Sequence, residues 1–265
     1  MTDLKNTGVL TCEWQQGPEQ DTASTGSDLQ RAFGSGSRRL VADRGREIVT
    51  AGVACQHLFQ LKSGLACRQR PFSEGGQAVL DLYRPGDFIG LDSLFFAPAL
   101  DTVFALTNVS YWVLDHGALN RLMQAPRVAL QLMRHMAEEK QRVDTIAILL
   151  GQLKARERTA ALLLFLWRRL RPASGRAATG ENEAGLPFTQ KQLADYLGLD
   201  VIHLNRVLGG LRNSGALKFR KGVIIVKDVT QLAQIAGVAH GLSHGRPSAI
   251  EGSAAPLLSP QLLRI

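Results

Sequence analysis

The stretch QKQLADYLGLDVIHLNRVLG, residues 190–209, decides the fold. Its spacing is that of two short helices joined by a tight turn. Ala194 is small enough for a second helix to cross close by, and Gly198, four residues later, suits a turn that needs a positive φ. Leu204 and Val207 are then placed to pack the second helix against the first. The pattern predicts a helix-turn-helix rather than an ordinary helical hairpin inside a core.

Two capping patterns predict where these helices begin. Thr189 and Gln192, three residues apart, form the sequence pattern of a capping box at the start of the first helix. Asp200 is a good N-cap residue, so the second helix is expected to begin near Val201.

The outward side of the second helix carries the residues that we expect to contact nucleic acid. In a major groove, Arg can donate twice to guanine and Asn can pair with the edge of adenine. We expect Arg206, one turn into the helix, to contact a base rather than to form a surface salt bridge. His203 and Asn205 could contact either bases or phosphates. The other candidates are Arg212, further along this helix, and Thr189, at the start of the first helix.

A two-stranded wing is predicted after the second helix. The turn at 213–215 leads into a strand at 217–219, and the turn at 220–222 leads into a second strand at 223–226. Cationic side chains near its tip are placed to contact phosphates beside the groove. These candidates are Lys218, Arg220 and Lys221.

The positive charge of the chain is concentrated where these motifs lie. The 265 residues carry a formal net charge of +8. Residues 154–237 contain fourteen Lys and Arg against six Asp and Glu, so this third supplies the whole excess and the remainder is neutral. A neutral sensor or assembly region joined to a basic module is typical of proteins that bind a polyanion.

A long helix with one narrow stripe is predicted before the basic third. Residues at alternating steps of four and three form a coiled-coil seam, apolar at six of seven positions. The stripe could cover the chain's own β domain or pair with its copy in a second chain. The 3.5-residue spacing favours a homodimer, which a Glu in the seam would weaken. The seam consists of Leu132, Met136, Glu139, Val143, Ile146, Leu150 and Leu153.

Short apolar stretches alternate with Gly-rich turns between residues 40 and 115, at 48–49, 57–61, 78–83 and 109–114. This texture predicts an antiparallel sandwich or barrel. We therefore expect an α+β chain. Its parts are a flexible segment 1–37, a β-roll 38–125, a dimerisation helix 126–154, a winged helix-turn-helix 155–237 and a flexible tail 238–265.

Composition also excludes several classes of protein. No run approaches the ~20 apolar residues that a membrane-spanning helix needs, and the first residues lack the layout of a signal peptide. Cys12, Cys55 and Cys67 are too few and odd in number for a disulfide scaffold, so we expect reduced thiols in a cytoplasmic protein. Because no nucleophile–base pair, metal-ligand spacing or phosphate loop is visible, we expect no enzymatic activity.

The order of these parts resembles the Crp/Fnr superfamily of bacterial transcription regulators over roughly residues 38–237. The resemblance implies a β-roll of the cyclic-nucleotide-binding-like jelly-roll type, a dimerisation helix and a winged helix-turn-helix. It also implies double-stranded DNA, a second copy of the chain and RNA polymerase as partners. The matching motifs are GREIVTAG (45–52), LKSG (61–64), RPGDFIG (84–90) and LADYLGLDVIHLNRVL (193–208), and the helical region 133–163 is most similar to the Fnr branch.

Departures from the family's ligand motifs limit what carries over. Cyclic-AMP-binding members follow the last Gly of the RPGDFIG turn with Glu, and later place Arg-Ser for the phosphate. Here Leu91 follows that Gly, and Asp101 and Thr102 stand at the later positions. Because an Asp repels a cyclic phosphate, cyclic-nucleotide binding is not expected.

No cofactor is expected either. Oxygen-sensing Fnr proteins hold an iron–sulfur cluster with four cysteines, which this chain cannot supply. A haem site could use His57, His116 or His135, but a lone histidine is more often structural or solvated.

The predicted recognition helix also departs from the family. Fnr-type helices carry Glu, Ser and Arg, and the corresponding residues here are Ile202, Asn205 and Arg206. Ile202 could contact a thymine methyl or simply pack, and the half-site is expected to differ from those of well-known members.

These observations predict a homodimeric, sequence-specific DNA-binding transcription regulator that recognises an inverted repeat in promoters. The other interpretation is a small-ligand sensor module whose helix-turn-helix mediates protein contacts. The two differ in salt dependence, because DNA binding through the basic third should weaken steeply as salt rises.

Overall fold

A computed structural model describes residues 33, 37–73, 75–93, 95, 97–170, 185–220 and 223–237. The segments predicted to be flexible, 1–37 and 238–265, lie outside these residues except for Phe33 and Ser37. Eight strands open the fold: β1 Arg38–Ala42, β2 Glu47–Val49, β3 His57–Ser63, β4 Ala66–Pro71, β5 Gln77–Tyr83, β6 Phe88–Ile89, β7 Thr102–Ala105 and β8 Val109–Asp115.

The eight strands form two antiparallel four-stranded sheets. Their orders are β1-β8-β3-β6 and β2-β7-β4-β5, so successive strands often belong to different sheets, as in a jelly roll. Leu61, Tyr83, Ile89 and Ala105 are buried in the core that the two sheets share. The predicted β-roll is confirmed.

Six helices and a small third sheet follow in the part of the chain that the structure describes. The helices are α1 His116–Met123, α2 Pro126–Gln152, α3 Ala155–Leu170, α4 Gln190–Leu197, α5 Val201–Asn213 and α6 Val229–Ala236. The third sheet has the order β10-β11-β9, with β9 Gly185–Leu186, β10 Leu217–Arg220 and β11 Val223–Val226. The predicted two-stranded wing therefore has a third strand, because Ile224 and Ile225 of β11 also pair with the 185–186 segment.

Helix α2 splits the predicted seam between two faces. Leu132 and Ile146 are 3% and 7% exposed and belong to cores of the chain itself, and Leu153 packs partly against one of them. These residues, together with Glu139, face the β-roll or the following helices in the single chain, and their assignment to a dimer interface stays a prediction. Met136, Val143 and Leu150 of the seam remain exposed. Sequence spacing alone does not separate these two faces, because 3.5- and 3.6-residue stripes differ little over three heptads.

Buried ion pairs fix the inner side of α2 against β4 and β5. The Arg142 guanidinium donates to the Asp81 carboxylate at 3.0 Å, and the two side chains are 7% and 2% exposed. Arg68 Nη1 lies 2.9 Å from Glu139 Oε1, and the Tyr83 hydroxyl donates to the same oxygen at 3.4 Å. Burial raises the pKa of Glu139 above its ordinary value, although Arg68 opposes this shift.

A shared hydrophobic core joins the β-roll to the C-terminal helices. Val79 and Leu82 of β5 are buried in one cluster with Phe165 of α3 and with Leu193 and Tyr196 of α4. The outer face of the β2-β7-β4-β5 sheet is thus covered by the region predicted to bind DNA. This contact fixes the orientation of α4, the first helix of the motif, against β5.

Cys67 of β4 belongs to the same shared core. Its side chain is fully buried, and burial together with the charge of Asp81 raises the pKa of the thiol to about 12. The thiol is therefore protonated at neutral pH and packs as a small apolar group.

A set of hydrogen bonds, here called the polar clasp, also joins the end of α3 to the β-roll. Arg169, near the C-terminus of α3, donates from Nη2 to Asp87 Oδ2 at 2.6 Å and from Nε to the Leu82 carbonyl at 2.8 Å. Arg84 Nη1 in turn donates to the Arg169 carbonyl at 3.0 Å. Arg84 and Asp87 belong to the RPGDFIG turn, so this family motif here holds the end of α3.

We expect Arg142→Met to destabilise the fold by about 3–5 kcal/mol, because it leaves the Asp81 carboxylate buried without its cation. Urea unfolding of wild type and variant measures the loss. Arg127→Met, an exposed arginine on the same helix, is the matched control and should change stability by less than ~0.5 kcal/mol. Equal effects of the two substitutions would contradict the assigned role of the buried pair.

Candidate DNA interface

The helix-turn-helix forms as its sequence predicts. Thr189 caps α4 through a complete capping box with Gln192, and Gly198 ends the helix in the left-handed region at φ 62° and ψ 37°. Asp200 caps α5 by accepting from the His203 N–H at 2.8 Å. The predicted starts of both helices are confirmed.

Helix α5 has one buried and one exposed side. Leu204, Leu208 and Leu211 are at most 1% exposed and pack it onto the rest of the domain. Asn205 and Arg206 point to the opposite, exposed side. The buried leucines thus hold the helix so that a fixed polar face is presented to a partner.

A shallow cleft of about 190 Å³ runs beside this face. It lies between the start of α4, helix α5 and strand β10, and it joins two predicted contact residues, Asn205 and Arg212. Its amide and guanidinium groups could donate hydrogen bonds to a phosphate or a base edge. The cleft is lined by Gln190, Asn205, Leu208, Gly209, Arg212 and Phe219.

The other predicted contact residues differ in their exposure and in the bonds that they already make. Arg220 is exposed at the end of β10, whereas His203 and Lys218 are half-buried. The Thr189 hydroxyl is already engaged in the capping box, where it accepts from the Gln192 N–H at 3.1 Å. Lys221 lies outside the described residues.

Two residues on the exposed face of α5, Ile202 and Gly209, were not assigned a role from the sequence. Ile202 is 75% exposed, so it does not pack in this chain. Gly209 lies seven residues further on the same face, and a Cβ at that position would meet no atom within 4 Å. A glycine inside a helix is unfavourable by roughly 0.5–1 kcal/mol relative to alanine, so packing does not account for Gly209.

The two residues that depart from the cyclic-AMP-binding motif, Asp101 and Leu91, are buried in the β-roll. Asp101 is 5% exposed and accepts from Arg70 Nε at 2.6 Å, and Arg68 Nε lies 3.9 Å from the same carboxylate. Leu91 is 5% exposed and packs in a core with Phe88. These groups are committed to intramolecular contacts.

His135 is one of the three histidines considered as haem ligands. It is half-buried against the Phe88 ring, at 4.7 Å between centroids. Burial lowers its pKa below the ordinary value, although the nearby Glu138 carboxylate opposes this shift. The ring is thus used in packing and is neutral at pH 7.

A β-roll joined through a long helix to a winged helix-turn-helix defines a class of DNA-binding transcription regulator. Comparison with family models agrees: residues 39–125 match the cyclic nucleotide-binding domain and residues 157–235 match the Crp-like helix-turn-helix domain. The chain belongs to the Crp/Fnr family of transcription regulators.

Individual relatives support this assignment. The chain is 28% identical over 208 residues to electron transport regulator A of Shewanella oneidensis, covering 76% of this chain and 80% of that protein. It is 28% identical over 206 residues to the fumarate and nitrate reduction regulatory protein of Escherichia coli, covering 76% and 79%. Among solved structures, a transcriptional regulator of the CRP/FNR family from Thermus thermophilus aligns with a TM-score of 0.60 at 25% identity, covering 76% of this chain and 99% of that one.

Within the described part of the chain, the helices are too short or too polar to cross a membrane.

We expect Arg206→Ala to reduce sequence discrimination and Arg220→Ala to reduce only general affinity. A bidentate contact of Arg206 with guanine is worth about 1–3 kcal/mol of discrimination, whereas Arg220, on the wing, is placed to contact phosphates. Affinities of both variants for a selected site and for scrambled DNA, at one salt concentration, measure the difference. If Arg206→Ala weakened both DNAs equally, its assignment as a base contact would be wrong.

Proposed function

We propose that the protein binds an inverted-repeat promoter site as a homodimer, with the exposed face of α5 in the major groove of each half-site. The observation that carries this proposal is the fixed polar face of α5, where Asn205, Arg206 and Arg212 are all exposed. The protein acts by binding rather than by catalysis, in the cytoplasm, and RNA polymerase is its further partner.

The surface proposed for dimerisation is a stripe along the outer side of α2. Its members follow one another at steps of three and four, with four large apolar side chains between 36% and 64% exposed. Knobs-into-holes packing between two such stripes would cover these side chains. The outer stripe consists of Met133, Met136, Lys140, Val143, Ala147 and Leu150.

An apolar neighbour at the start of the outer stripe favours the same interpretation. Leu130 is 50% exposed and lies three residues before Met133, on the same side of α2. A contiguous apolar surface on one helix is typical of an interface between chains. A second copy presents the same surface, so it can be covered by two-fold pairing.

The test of the proposed function is selection of DNA fragments from a random pool by the purified protein. We expect the enriched fragments to share two inverted half-sites about one helical turn apart. Affinity for them should fall steeply with salt, because bound Lys and Arg release counterions. Enrichment of no common sequence would favour the interpretation in which the helix-turn-helix contacts protein.

We expect the double variant Val143→Glu, Leu150→Glu to be a folded monomer that has lost operator affinity. Both side chains are exposed in the single chain, so the substitution spares its cores but buries like charges across the two-fold axis. Sedimentation and circular dichroism measure assembly and folding. Val41→Glu, a 76% exposed apolar position on β1, is the control and should remain dimeric. A double variant that still sediments as a dimer would refute the outer stripe.

We expect neither cyclic AMP nor cyclic GMP to bind in the micromolar range. Asp101 stands at the position where the family's cyclic-AMP-binding members carry Arg, and its carboxylate is paired with Arg70. A carboxylate repels a cyclic phosphate, whereas the Arg would donate hydrogen bonds to it. Titration calorimetry with both nucleotides is the measurement. Micromolar affinity for either nucleotide would overturn this interpretation of the β-roll.

A further inference from the structure

Ile202 stands at the second position of α5, two residues after the Asp200 cap, and is 75% exposed. Asn205 and Arg206 follow it at three and four residues, so the three side chains share one face of the helix. Leu204, on the opposite side, is fully buried. Ile202 therefore lies at the centre of the exposed face and contributes nothing to the core.

The neighbours of Ile202 make this face chemically mixed. Val201 beside it is 38% exposed, so the first turn of α5 presents a small apolar surface. The next turn presents an amide and a guanidinium, and Arg212 adds a second cation further along. An apolar group among hydrogen-bonding groups matches a base-pair edge that carries both kinds of feature.

In the major groove, the apolar group of a base-pair edge is the 5-methyl group of thymine. The other groups that the bases present there are hydrogen-bond donors and acceptors. We propose that Ile202 is a specificity-determining residue that contacts a thymine methyl in each half-site. The proposal rests on the proposed function and deepens it, because it predicts the identity of one base pair in each half-site from the apolar side chain that contacts it.

The helix geometry also places this thymine relative to the base that Arg206 contacts. Four residues of α-helix advance about 6 Å along the axis, which is close to two base-pair steps of about 3.4 Å each. The thymine is therefore expected within about two base pairs of the guanine that pairs with Arg206. N-terminal residues of a recognition helix are those that reach base edges, which agrees with the place of Ile202 in the first turn.

The experiment replaces each thymine of the selected half-site, one position at a time and symmetrically in both half-sites, by deoxyuridine. This change removes the 5-methyl group and leaves the Watson–Crick pairing intact. Affinities of wild type, Ile202→Ala and Ile202→Val are measured at one salt concentration, with circular dichroism as the check of folding. Val41→Ala, at an exposed aliphatic position on β1, is the matched control.

We expect one position at which deoxyuridine weakens wild-type binding by about fourfold per half-site, the effect of burying one methyl-sized group. Ile202→Ala should bind the thymine and deoxyuridine sites equally, Ile202→Val should keep part of the difference, and Val41→Ala should behave as wild type.

The failure of this inference is separable from that of the proposed function. Wild type that does not prefer the selected site over scrambled DNA contradicts the proposed function itself. Wild type that prefers the site but binds thymine and deoxyuridine equally at every position overturns the role of Ile202 alone. An Ile202→Ala variant with full sensitivity to deoxyuridine also overturns it, since another side chain then contacts the methyl.

Discussion

The guanidinium of Arg169 is the contact on which the arrangement of the two halves depends. It is a charge with a side chain only 7% exposed, and its partners, the Asp87 carboxylate and the Leu82 carbonyl, both belong to the β-roll. Separation of the halves would leave this cation without its buried partners, which is costly. The end of α3 is therefore tied to the RPGDFIG turn. Because α3 packs with α4 and α5 in one core, the contact also orients the face that carries Arg206.

Helix α2 connects this arrangement to the proposed homodimer through its two unlike faces. The inner face is held to the β-roll by buried apolar residues and by the Arg142–Asp81 pair. The outer face carries the exposed stripe with Met136 and Val143. In the proposed homodimer, pairing of the outer stripes would set the separation of the two β-rolls, and the Arg169 clasp would pass that separation on to the two α5 helices.

The sequence predicted those elements whose signals are local. Gly198 specifies the turn through its own backbone, and Asp200 specifies the start of α5 through its side chain; both are as predicted. The inner and outer faces of α2 could not be separated, because the burial of Leu132 and Ile146 depends on packing against distant parts of the chain. The clasp has no sequence signal either, since Asp87 and Arg169 are 82 residues apart. In the site, polar candidates were found from residue type, whereas the exposure of Ile202 required the structure.

The shared core has a consequence for how the chain is synthesised. The β5 face with Val79 and Leu82 leaves the ribosome before the helices that cover it, and Tyr196 of α4 follows Leu82 by 114 residues. At roughly 5–20 residues per second, this apolar sheet face remains uncovered for about 6–23 s. During that interval it is an exposed surface that favours aggregation, and a nascent-chain chaperone would have a binding site there. The apolar face of β5 that orients α4 in the folded protein thus makes the incomplete nascent chain prone to aggregation.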